Sequence, residues 1–140
     1  MRVLADTNLF VSYLLNPGRA GSVQALIQAA TDGQITLLLP QDLTDEITVT
    51  VTSKPYLVQH ITQKTLEALL ETLALIGEEI PRITSPLPRF SRDRKDDYLI
   101  AYAVVGGANF LVTGDKDLLV LGQVGDMSII TVQELITTRL

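Results

Sequence analysis

Apolar residues along this chain fall into short runs and into helical stripes, and the two kinds alternate. Val3-Leu4-Ala5 is a run of strand length that closes at Asp6. Asp6-Thr7-Asn8 offers helix N-cap chemistry ahead of Leu9-Phe10-Val11 and Tyr13-Leu14-Leu15. Asn16-Pro17-Gly18 reads as a turn. Ser22 to Ala30 reads as a helix, with Val23, Leu26, Ile27 and Ala30 at helical spacing and Asp32-Gly33 at its end. A second strand runs from Ile35 to Leu39, and Pro40 stops it. Thr62 to Ile76 is amphipathic: Leu66, Leu69, Leu70, Leu73 and Ile76 line one face, with Glu67 and Glu71 outside it. Glu79-Ile80-Pro81 suggests a short edge strand, and Pro81 to Ser91 a loop punctuated by Pro86 and Pro88. The helix-length run Leu99 to Val105 then leads through Gly106-Gly107 to a buried strand at Asn109 to Thr113 and the acidic turn Gly114-Asp115-Lys116-Asp117. Ser128 to Thr131 gives a last strand and Val132 to Arg139 a last helix.

Gln41 to Ser53 reads two ways. Ile47-Thr48-Val49-Thr50-Val51-Thr52 alternates and is β-branched, which favours a strand. Leu43, Ile47 and Val51 also repeat every four residues behind the helix-start signal Pro40-Gln41-Asp42, and Lys54-Pro55 ends the segment either way. Whichever holds, strands alternate with helices almost throughout. That pattern predicts one α/β domain spanning 1–140, on a mostly parallel sheet covered on both faces.

Composition narrows the chemistry. The chain has no cysteine, so neither a disulfide framework nor a thiolate zinc site is available. The start, Met1 to Asp6, lacks the apolar core of a signal peptide. No apolar run approaches the roughly 20 residues that span a bilayer. The expectation is a cytoplasmic protein without membrane contact. Neither Gly-x-Gly-x-x-Gly nor the P-loop pattern occurs, so no dinucleotide or nucleoside triphosphate site is signalled. The net charge of −5 argues against a uniformly basic nucleic-acid surface, but its distribution is uneven. Arg82, Arg89, Arg92, Arg94 and Lys95 form a basic strip just before Asp96-Asp97. Such a strip is a solvated loop in most proteins. Beside an acidic pocket it would grip phosphates.

The acids have a common destination. Asp6 closes the first strand, Asp97 opens the long helix before the fourth, and Asp115 and Asp117 follow that fourth strand. In a doubly wound sheet, ligands bind outside the carboxyl ends of the strands, where the strand order reverses. Glu46, one turn into the segment after the second strand, is within reach of the same edge. Singly, each acid has an ordinary structural role: Asp6 and Asp115 as helix caps, Asp93, Asp96 and Asp97 as dipole complements, Glu46 as a solvated helix residue. Together, converging carboxylates repel and raise each other's pKa unless a cation offsets them. With one histidine, His60, on a polar stretch, an all-oxygen site suits Mg²⁺ or Mn²⁺.

On these residues the chain resembles the PIN-domain nucleases. Val3-Leu4-Ala5-Asp6-Thr7-Asn8 is similar to their opening strand. Asp96-Asp97-Tyr98-Leu99-Ile100-Ala101-Tyr102-Ala103 is similar to their central acidic helix, and Phe110 through Leu118 to their last acidic motif. The branch it resembles is the toxin components of toxin–antitoxin pairs. The resemblance implies a three-layer α/β/α sandwich and Mg²⁺- or Mn²⁺-dependent cleavage of single-stranded RNA. It also implies homodimers and an antitoxin partner. It assigns the segment Gln41 to Ser53 to a helix. It makes Asp6, Asp97 and Asp115 metal-binding aspartates, with Asp117 a frequent extra acid and Asn8 and Thr113 polar neighbours that orient a ligand or water. Glu46 matches the acid after the second strand only loosely, leaving Asp45 and Asp42 as alternatives.

The leading expectation is therefore a ribonuclease with Asp6, Glu46, Asp97 and Asp115 at its centre and Arg92, Arg94 and Lys95 on the RNA backbone. The alternative is a non-catalytic binding module on the same fold. A haloacid-dehalogenase-type phosphatase is disfavoured, because its Asp-x-Asp pair would need an aspartate where this chain has Asn8.

Overall fold

The computed structural model describes residues 1–84 and 94–140, the side chains of 94–96 excepted. Five parallel strands are joined by helical crossovers. β1 (Arg2–Ala5) leads through α1 (Thr7–Leu15), a 3₁₀ turn at Pro17–Arg19 and α2 (Gly21–Thr31) to β2 (Thr36–Pro40). Then come α3 (Gln41–Ser53), α4 (Pro55–His60), α5 (Gln63–Ile76) and β3 (Gly77–Ile80). The second half holds α6 (Arg94–Val105), β4 (Phe110–Val112), α7 (Lys116–Leu121), β5 (Gln123–Val124), β6 (Met127–Ile130) and α8 (Val132–Thr138).

Among the described residues the strands form one sheet in the order β3-β2-β1-β4-β6-β5, parallel except for the β5–β6 hairpin. The chain builds outward from β1 to β2 and β3, then returns to β1's other side with β4. The order reverses between β1 and β4, which pair in register from Val3↔Phe110 to Ala5↔Val112. Val3, Leu4, Leu37, Leu38, Leu111 and Val112 are almost wholly buried, as expected of strands covered on both faces. Neighbouring residues of β2 show the two coverings. Leu39 lines a cavity with Leu70 and Ala74 of α5, whereas Leu38 meets Gly106 at the end of α6. This is the three-layer α/β/α sandwich expected from the sequence.

α3 resolves the ambiguous segment as a helix. Leu43, Ile47 and Val51 enter the core. The threonines fit because their hydroxyls return to backbone carbonyls of the preceding turn: Thr44 to Gln41, Thr48 to Thr44 and Thr52 to Thr48. Pro55 does end α3, but it also begins α4, a helix the sequence reading did not anticipate, by occupying the first-turn position where its missing N–H is harmless. The edge strand, β3, follows α5 without a linker. The loop expected over Pro81 to Ser91 lies mostly outside the described residues. The apolar run Leu9 to Leu15 and the helix Leu66 to Ile76 serve the core, with Phe10, Val11, Leu14, Leu66, Leu69 and Leu73 buried. No helix among the described residues is long and apolar enough to cross a membrane.

The α5–β3 junction depends on a glycine for lack of space. A Cβ on Gly77 would lie 2.8 Å from the Leu73 carbonyl oxygen and 3.1 Å from the Leu39 Cβ. Backbone cannot yield cheaply, so Gly77→Ala is expected to destabilise the fold by about 1–3 kcal/mol. A urea titration would show this as a lower midpoint with an unchanged slope; an unaltered midpoint would mean that the junction relaxes freely.

Candidate active site

The carboxyl ends of β1 and β4 meet at Asp6. Its N–H donates to the Val112 carbonyl at 2.9 Å, extending the ladder by one bond. Its side chain caps α1, with Oδ1 accepting the Asn8 N–H at 3.4 Å, while Oδ2 accepts the Thr113 hydroxyl at 2.8 Å. Thr113 Oγ1 in turn accepts the Asp115 N–H at 3.0 Å, and Asp115 caps α7 by accepting the Asp117 N–H at 2.9 Å. One hydrogen-bonded chain thus runs from the end of β1 to the start of α7. The sequence-level roles of cap and site residue coincide here, because an N-cap carboxylate stands at the strand's carboxyl end by construction.

The second acid comes from α3. Thr7 donates its hydroxyl to Glu46 Oε2 at 3.1 Å, joining Glu46 to the residue beside Asp6. Asp42 and Asp45 are engaged elsewhere: Arg82 forks between them, and Asp42 also accepts the Tyr102 hydroxyl. Of the three acids left open by the sequence, Glu46 is the one hydrogen-bonded to the Asp6-Thr7-Asn8 turn. Thr7 was not singled out by sequence reasoning, although it lies between two residues that were. The tyrosines Tyr98 and Tyr102, four residues apart on α6, carry no pattern in the sequence that marks them.

Asp97, in the first turn of α6, is wholly buried. Among the described residues, Thr7, Asp97 and Thr113 are the buried polar side chains of the domain. Two of these hold the acids of this edge, and the third is itself an acid. Asp117 lies exposed in the first turn of α7, and Asn8 is exposed while its backbone N–H serves Asp6. The candidate RNA contacts Arg92, Arg94 and Lys95 fall outside the described side chains.

Electrostatics at Asp6 are unfavourable to its charge. Burial raises its pKa above the ordinary value of 3.8, and the nearby Asp115 carboxylate raises it further. The hydrogen bonds from Thr113 and from the Asn8 and Thr7 backbone pull the other way without cancelling the rise. A cation beside Asp6 and Asp115 would reverse the balance. The donor set is all oxygen, and Mg²⁺ commonly takes one or two carboxylates and completes its shell with water and phosphate. Asp6 and Asp115 fit that mode. A denser cage does not form: among the described residues, no three Asp, Glu or His side chains gather around one point. The structure thus couples Asp6 with Asp115 and ties Glu46 to their edge.

Residues 2–117 match the family model described as PIN domain. No curated protein sequence matches the chain. Among solved structures, a chain from the crystal structure of VapBC2 from Rickettsia felis, bound to a DNA fragment from their promoter, superposes with a TM-score of 0.61. It is 16% identical in sequence, and the match covers 92% of this chain and 97% of that one.

Proposed function

The chain belongs to the PIN-domain family, and from that premise we propose that it is a Mg²⁺- or Mn²⁺-dependent endoribonuclease, the toxin of a toxin–antitoxin pair. The observation that carries the reading is the hydrogen-bonded chain Asp6–Thr113–Asp115, which ties the Asp6 carboxylate to the Asp115 backbone at the switch point although burial and repulsion from the Asp115 carboxylate oppose charge on Asp6. Proteins keep such strained pairs where function requires them. The resemblance to VapBC2, whose structure holds DNA from its promoter, supports a partner protein of the antitoxin kind. A second copy of this chain, a single-stranded RNA substrate and a cytoplasmic location complete the proposal.

In this reading Asp6 and Asp115 hold the cation, with Asp97 and Asp117 contributing to the same acidic edge. When bound, the ion supplies Lewis-acid polarisation of the scissile phosphate and offsets the carboxylate charges. Thr113 holds the Asp6 carboxylate by donating its hydroxyl and holds the Asp115 backbone by accepting its N–H. Glu46, half-buried and hydrogen-bonded by Thr7, takes a proton from the attacking water in this reading. Asn8 orients the substrate or a water from the exposed side. Arg92, Arg94 and Lys95 contact the RNA backbone.

The alternative is a non-catalytic binding module on this fold. Mn²⁺ titration by calorimetry, on wild type and on the Asp6→Asn, Asp97→Asn double variant, separates the two. Binding by wild type that disappears in a folded double variant supports the nuclease. No binding by wild type, even with RNA present, would favour the binding module.

A further inference from the structure

Away from the Asp6–Asp115 pair, a second polar network joins the helix that carries Glu46 to the helix that carries Asp97. The Tyr102 hydroxyl donates to Asp42 Oδ2 at 2.5 Å and accepts the Ile83 N–H at 2.9 Å. Arg82 bonds Asp42 through Nη1 and reaches Asp45 Oδ2 through Nη2 at 2.5 Å. Tyr98 packs edge-on against Tyr102, with ring centroids 5.1 Å apart. Asp42 and Glu46 lie four residues apart and so share one face of α3; Tyr98 and Tyr102 do the same on α6. The Tyr102–Asp42 bond brings these two faces together.

We propose that Tyr102, Asp42 and Arg82 form a positioning network that sets Glu46 relative to Asp97, by fastening α3 to α6 about one helical turn from each carboxylate. The proposal rests on the nuclease reading above and adds residues that its site does not contain. Three features support positioning over simple packing. Tyr102 is only 1% exposed, so its hydroxyl must find its partners inside the protein, and a charged acceptor makes that bond strong and directional. Asp42 is held by two donors from different segments, which fixes its carboxylate plane. The N–H of Ile83, three residues past β3, joins the same knot. Carboxylates at a working site need placement to within about 0.5 Å, and partners of this kind supply it.

The test uses Tyr102→Phe, Asp42→Asn and their double variant, with the exposed Arg82→Gln as a milder probe should the buried changes impair folding. RNA cleavage and Mn²⁺ titration are read well below the melting temperature. Ile27→Val, a core change in α2, controls for loss of stability alone. Expected are a drop in kcat of about 10-fold or more with KM unchanged, and a half-saturating Mn²⁺ concentration raised by about 10-fold. The double variant should be no worse than the poorer single, because both remove one shared bond. A fall in melting temperature with kcat and the Mn²⁺ midpoint at wild-type values would overturn the proposal and leave a purely structural clamp. Wild-type protein that neither binds Mn²⁺ nor cleaves RNA would overturn the nuclease reading itself, and the positioning role with it.

Discussion

Asp97→Asn protein is expected to fold like wild type and to lose at least about 100-fold in the rate of RNA cleavage. The scale follows from metal sites, where changing even an outer partner of a ligand costs about 10–100-fold, so that a carboxylate acting directly costs more. The side chain is wholly buried in the first turn of α6, and asparagine matches its shape. The substitution therefore removes a charge without opening a cavity, and the helix retains a residue tolerated in a first turn. Circular dichroism melts would report the fold and a gel-based cleavage assay the activity. Full activity in a folded variant would remove Asp97 from the site.

The second large effect is a reversal of sign between stability and activity at Asp6. In the folded chain its pKa lies above the ordinary 3.8, first because it is buried and then because Asp115 is close. A carboxyl whose pKa is raised by folding binds its proton more tightly in the native state. Stability therefore falls as pH rises from the unfolded value through the folded one, and at neutral pH the ionised Asp6 opposes folding. Asparagine is as good an N-cap as aspartate: its side-chain oxygen still accepts from the Asn8 N–H, while its amide N–H takes the place of Oδ2 and donates to the Thr113 hydroxyl oxygen, reversing that bond. Asp6→Asn is thus expected to melt higher than wild type at pH 7 without metal, by roughly 2–4 °C for each kcal/mol of relieved repulsion. The gain should fade as pH falls towards the ordinary carboxyl value and vanish by about pH 3, where the unfolded and folded carboxyls are both protonated. Cleavage should fall by at least about 100-fold. Mn²⁺ at a hundred times its dissociation constant should stabilise wild type by about 2.7 kcal/mol and leave the variant unmoved. A variant that melts lower at pH 7 would mean that the Asp6 carboxylate is a structural cap before anything else.

Some features escaped the local pattern for definable reasons. The alternating Ile47 to Thr52 segment looks like a strand until its threonine hydroxyls are seen returning to the α3 backbone. Pro55 carried both a stop and a start, and only the stop was read. The β5–β6 hairpin was signalled by Gly125-Asp126 between Val124 and Met127, with Gly125 at φ +58°, but its strands are too short to show a period. Tyr102 gives no hint that it bonds a carboxylate 60 residues away, because an apolar helix face records burial and is silent on where a hydroxyl points.

The sequence by itself determined the alternation of strands and helices, and with it the parallel sheet. It also placed Asp6 and Asp115 at one edge, since an acid that ends a strand and caps the next helix has nowhere else to be. Only the tertiary structure shows which of Asp42, Asp45 and Glu46 is hydrogen-bonded to the Asp6-Thr7-Asn8 turn. Those three stand within two turns of one helix, α3, with similar local chemistry. What separates them is what docks against that helix: Arg82 and Tyr102 on the first two, Thr7 on the third. Periodicity fixes which face of an element is buried, but the partner of a polar group is set by packing between segments far apart in the chain.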